Sequence, residues 1–140
     1  MTNQVRYKVS VRVEEANGLN IGQYLGVTCE VLVEAVYSGS MYDGNGKVGL
    51  TVKDIRLKDK LGRAVPTPAV VLSFLHAHES VVYNNDTISI EGAEDGVKGQ
   101  IVIKLSADRG TVTGLGVFSA GFWQCRLMAG LNLRIEGEAL

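Results

Sequence analysis

The two histidines of the chain stand almost side by side, at His76-Ala77-His78, and Glu79 follows at once. Imidazole and carboxylate are the side chains that ligate a transition metal, so this is the one cluster with the residue types of a metal site. On a strand, alternation sends His76 and His78 to one face and Glu79 to the other, and a carboxylate from elsewhere has to complete the set. On a helix the two rings stand about 200° apart and the pair is broken. The conformation of residues 66–83 therefore decides whether His76 and His78 are ligands. Thr67 is placed to cap a helix, and Pro68 sits where a missing N–H costs nothing. Val70, Val71, Phe74, Leu75, Ala77 and Val81 then share one broad arc. The spacing predicts one short helix near 68–80, with the histidines as polar residues towards its end. A metal site at His76 and His78 is the alternative.

Other chemistry is sparse. Asp43-Gly44-Asn45-Gly46-Lys47 has the opening of a calcium loop, but Lys47 takes a ligand position and Val48 stands where the sharp turn needs glycine, so it reads as a hairpin loop. No G-x-S-x-G elbow accompanies the serines, and no Walker or dinucleotide glycine motif is present, so neither catalytic residues nor a cofactor are expected. Cys125 beside Trp123 lies on an apolar face, away from Arg126, which suits packing better than a reactive thiolate. Cys29 and Cys125 read as two buried, reduced thiols. Asn85-Asp86-Thr87 is formally a glycosylation acceptor, without bearing in the absence of a secretory signal.

The elements that position these residues are strands. Val5, Tyr7, Val9, Val11 and Val13 alternate with Arg6, Lys8, Ser10, Arg12 and Glu14, one face for a core and one for water. From Val27 to Tyr37 a second alternation begins, with Leu32 and Val36 apolar on the other parity as well. Gly39 to Gly46 is a loop. Val48, Leu50 and Val52 open a strand whose phase slips at Asp54 before Ile55 and Leu57 resume, the pattern of a bulge or an end. The basic run KDIRLKDKLGR reads as exposed strand and turn. Asn84-Asn85-Asp86, Glu94-Asp95-Gly96 and Asp108-Arg109-Gly110 punctuate the second half into a meander. Within it, Gly114 and Gly116 leave room for a close neighbour. The longest alternation runs from Trp123 to Ile135, with Trp123, Leu127, Leu131 and Leu133 as expected core residues and Gly130 as the place for a bend.

About eight strands with at most one helix give an all-β fold, an antiparallel barrel or sandwich, in a single domain over 1–140. A 46 % hydrophobic content fits a packed interior, and no apolar run reaches the roughly 20 residues of a membrane span. The formal net charge of -1, with acids and bases interleaved, gives no basis for gripping nucleic acid or an anionic membrane. The N-terminus lacks the apolar stretch of a secretory signal, so a cytoplasmic location is expected.

A resemblance attaches to Ser38-Gly39-Ser40-Met41, Gly46-Lys47-Val48, and Pro66-Thr67-Pro68 before the expected helix, followed by a strand at Thr87 to Ile90. Their order is similar to that in the haemolysin-coregulated protein and phage tail-tube barrels, although the spacing from Gly46 to Pro68 differs. That resemblance implies a subunit that stacks in rings. Taken together, the residues favour a non-enzymatic, self-assembling structural or protein-interaction barrel, a homo-oligomer whose doubled apolar parities need cover. A small-molecule-binding barrel, or a metal-dependent enzyme using His76 and His78, is the alternative.

Overall fold

The computed structural model describes residues 3–17, 25–65, 78–94, 97–122 and 125–140. Among these residues nine strands join in one sheet: β1 (Gln4–Asn17), β2 (Thr28–Ser38), β3 (Gly46–Lys58), β4 (Ala64–Val65), β5 (His78–Asn84), β6 (Thr87–Glu94), β7 (Val97–Leu105), β8 (Thr111–Phe122) and β9 (Cys125–Ala139). The two-residue β4 only extends the flank of β3. The other eight follow one another round the sheet, each antiparallel to its neighbours, and the β1–β9 pairing makes the ring continuous. Of the two all-β architectures expected from the alternation, barrel or sandwich, this is the closed antiparallel barrel. Because each of these eight strands pairs with the next of them in the chain, and the last with the first, no strand edge is left over along most of the wall.

Alternation decides which residues meet inside. Tyr7, Val31, Ala35, Tyr37, Val48, Leu57, Ile88, Ile101, Leu105, Val112 and Ile135 are buried. Arg6, Lys8, Arg12, Lys53, Arg56, Lys104, Arg134 and Glu136 stand outside in water. An apolar inside and a charged outside is the reverse of a porin-type wall. Among the described residues no helix is long and apolar enough to cross a membrane.

The phase slip in β3 is a bulge. Leu32 faces Asp54 and Val33 faces Val52, so Lys53 is the extra residue. It lets Val48, Leu50 and Val52 before it, and Ile55 and Leu57 after it, all turn inward. An equivalent slip at Glu14 on β1 carries the inward side from Val13 to Ala16. The close approach expected at Gly114 is also present: a Cβ there would fall 2.4 Å from the backbone oxygen of Val102.

Two expected boundaries are corrected. The helix near 68–80 falls largely on residues 66–77, outside the described ones, and its last three positions are instead the start of β5, where His78 pairs with Leu50 of β3. Extension is the better solution there, because it carries Val81 and Tyr83 inward while Val82 faces out. The last long strand begins at Cys125 and runs to Ala139, while β8 reaches Phe122. Trp123 lies outside the described residues, as does the side chain of Leu127. Leu131 and Leu133 are partly buried and lead to the buried Ile135.

Candidate functional site

Two features occupy the barrel interior: an apolar cavity along its length and a polar plug at one end. The cavity measures about 120 Å³ and is walled by side chains such as Val9, Val33, Leu50, Ile90, Ile103 and Ile135, from β1, β2, β3, β6, β7 and β9. Branched aliphatic residues dominate because the pleat points every second residue to the axis, and β-branched side chains suit that surface. Eight strands enclose a lumen just wide enough to be filled by side chains or to hold one small ligand. Here the filling is incomplete.

Tyr7 and Tyr37 form the lower rim of the cavity, and beneath them the end of the barrel is closed by Arg109. The Tyr7 hydroxyl donates to the carbonyl of Arg109 at 2.8 Å, and the Tyr7 and Tyr37 hydroxyl oxygens are 3.0 Å apart. A carbonyl only accepts, so Tyr7 spends its single proton there and Tyr37 donates to Tyr7. The Tyr37 ring meets the Tyr83 ring edge-on, with centroids 5.9 Å apart. Burial pushes both the Tyr7 and Tyr37 phenols above their ordinary range, and for Tyr37 the bond it makes to Tyr7 acts in the same direction.

Arg109 is the hub of the plug. Its guanidinium donates from Nε to the carbonyl of Met41 at 2.5 Å, from Nη1 to that of Ser106 at 2.9 Å and from Nη2 to that of Asp43 at 2.6 Å. Nη1 also meets Asp86 Oδ1 at 2.7 Å, and the cation lies 5.8 Å from the centre of the Tyr83 ring. A buried charge is tolerated only with this density of partners. Burial works against the guanidinium charge, and Asp86, with Tyr37 and Tyr83 acting in the same direction, raises its pKa on balance. Three connections and one strand are thereby drawn together: the β2–β3 loop through Met41 and Asp43, the β5–β6 turn through Asp86, the β7–β8 turn through Ser106, and β1 through Tyr7.

Local backbone sets up these positions. Asn85 and Asp86 both have positive φ, 50° and 59°, as the tight turn between paired strands demands. Arg109 itself has φ 60°, a left-handed conformation uncommon for a long side chain, held by its many bonds. Tyr83 Oη is the one buried side-chain polar atom, among the described residues, with no hydrogen-bond partner in the chain. It packs against Gly46, where a Cβ would stand 2.7 Å from it.

Of the residues singled out from sequence, His76 lies outside the described residues, and His78 is placed only as backbone in β5 opposite Leu50. Among the described residues no group of three or more His, Cys, Asp and Glu side chains gathers. Cys29 is a free, half-buried thiol, pushed up to about 11 by burial and by Glu30, so at neutral pH it is protonated and a poor nucleophile. Asp43 belongs to a hairpin loop, as its spacing suggests, and gives its carbonyl to Arg109. The role of Arg109 was not visible in Asp108-Arg109-Gly110, which reads as an ordinary turn. The interior cavity has no sequence signature beyond alternation. Compared with known proteins, the chain matches no family model, no curated protein and no solved structure.

Proposed function

We propose that the chain is a non-enzymatic barrel that binds one small apolar molecule in its interior. The observation that carries this reading is the cavity of about 120 Å³ with aliphatic walls. An apolar cavity of about 150 Å³ in a protein core stays dry and takes up benzene or xenon, so this one suits a ligand of a similar or slightly smaller size. The gain comes from removing apolar surface from water and from restoring dispersion contacts to wall atoms that face a gap. Catalysis is disfavoured on chemical grounds, since among the described residues the titratable groups lining the cavity are Tyr7 and Tyr37, whose phenols burial holds protonated. The plug closes one end of the lumen. Cytoplasmic location, with Cys29 reduced, belongs to the same reading.

Chemical-shift titration with benzene tests it. Saturable shifts at Val9, Val33 and Ile103, abolished in Val33→Phe, are expected. Uniform, unsaturable shifts in the folded wild type would overturn the reading.

A second reading, a self-associating subunit, is favoured by Leu115 and Val117, which stand 63 % and 53 % exposed on the outer face of β8. Surface apolar residues side by side on one strand ask for a partner more than isolated ones do.

A further inference from the structure

The barrel's outer face over β7, β8 and β9 carries an apolar stripe bordered by charges whose placement is ordered. Leu115 and Val117 form the stripe on β8, and Val102, 38 % exposed, extends it beside Leu115 on β7. The register sets the flanks. In the row through Thr113, Lys104 lies on the β7 side and Glu136 on the β9 side. The row through Leu115 has Val102 and Arg134, and the row through Val117 has Gln100 and Asn132. Arg134 is occupied by Glu14 and Glu136 within the chain, whereas Lys104 enters no ion pair among the described residues.

We infer that this face binds a second copy of the chain, packed face to face about a two-fold axis running along β8. The inference rests on the self-association reading and adds its surface and geometry. A two-fold axis along the strand exchanges the left and right flanks while keeping the rows. It therefore brings Lys104 of each copy onto Glu136 of the other, twice, while Leu115 meets Leu115 and Val117 meets Val117. The aliphatic stem of Arg134 then covers Val102. The other face-to-face two-fold, across the strands between Leu115 and Val117, keeps the flanks and exchanges the rows. That arrangement sets Lys104 against Lys98, which lies beside Ser119 on the same flank. Like charges there oppose it, so the flanking charges select the first axis. The charges supply register and the stripe supplies the apolar centre, the usual division of labour in an interface.

Sedimentation equilibrium at micromolar concentration tests the proposal, with Lys104→Glu, Glu136→Lys, their combination and Leu115→Asp, each checked for an unchanged β-sheet spectrum. The wild type is expected at twice the 15.0 kDa chain mass. Lys104→Glu should weaken the dimer by roughly tenfold or more, having turned two attractive pairs into repulsive ones. The charge-swapped double variant should recover most of that loss, and Leu115→Asp should be monomeric. A wild type that stays monomeric on concentrating overturns both the interface and the self-association reading. A wild-type dimer that Lys104→Glu leaves intact, or that the swap fails to restore, overturns the interface alone.

Discussion

The Tyr7 hydroxyl donates a 2.8 Å hydrogen bond to the carbonyl of Arg109, across a sequence separation of 102 residues. The first strand is thus bonded to the turn between β7 and β8, whose arginine in turn holds the loop after β2 and the turn after β5. One residue closes the end of the barrel, and the apolar cavity begins directly above it.

Arg109→Met keeps length and apolar bulk but leaves Asp86 and the carbonyls of Met41 and Asp43 without the guanidinium, while Ser106 keeps the backbone N–H of residue 109 as its donor. Breaking a buried pair from one side costs about 3–5 kcal/mol, and because the Asp86 side chain is 33 % exposed and keeps some water, the lower end, about 3 kcal/mol, is expected. Urea unfolding should show a loss of that size. Arg109→Lys should recover only part, because an ammonium cannot present the planar fork that reaches these oxygens together.

Alkaline pH should unfold the protein through its phenols. The Tyr37 pKa is raised by burial and by its bond to Tyr7, so the folded chain holds a proton that the unfolded chain releases near the ordinary value of about 10. Its stabilising effect is complete below about pH 10 and is lost as pH rises above it, at up to ~1.4 kcal/mol per pH unit for each such phenol. Stability measured from pH 9 to 11 should fall more steeply in the wild type than in Tyr37→Phe. Parallel slopes would refute the assignment to Tyr37.

Gly46 and Tyr83 should behave as a coupled pair. Tyr83→Phe deletes a buried hydroxyl that has no partner in the chain and should be close to neutral. Gly46→Ala places a Cβ 2.7 Å from that hydroxyl, on a ring too buried to withdraw, and should cost roughly 1–3 kcal/mol. In the double variant the cost should shrink, and a double-mutant cycle reads the difference. Strict additivity would show that the crowding lies elsewhere.

Leu50→Ala should enlarge the cavity and cost about 2–3 kcal/mol. Ligand preference should shift with it, from benzene towards larger alkylbenzenes, as read by titration of both proteins. An unchanged preference would mean that the cavity walls do not select the ligand.

Much of the barrel was legible in the alternation of Val5 to Val13 and Val27 to Tyr37, because the pleat has a period of two and burial on one face enforces it. Even the bulge at Lys53 showed as a slip of phase. The plug was not legible, because its chemistry comes from main-chain oxygens, and carbonyls of Met41, Asp43 and Ser106 leave no trace in side-chain type. Nor was the cavity, since an incompletely filled lumen and a full one share the same pattern of Val, Ile and Leu. The start of β5 reads as part of a helix in the sequence because Val70 to Val81 also satisfies a period of 3.6, and pairing with β3 is a tertiary effect that local periodicity does not contain.

Crystals of the wild type held under xenon pressure give the most direct measurement of the interior binding site. Occupied xenon between Val33, Leu50 and Ile103, absent from Val33→Phe crystals, is the predicted result. A wild-type lumen without xenon, its side chains collapsed across the axis, would contradict the account.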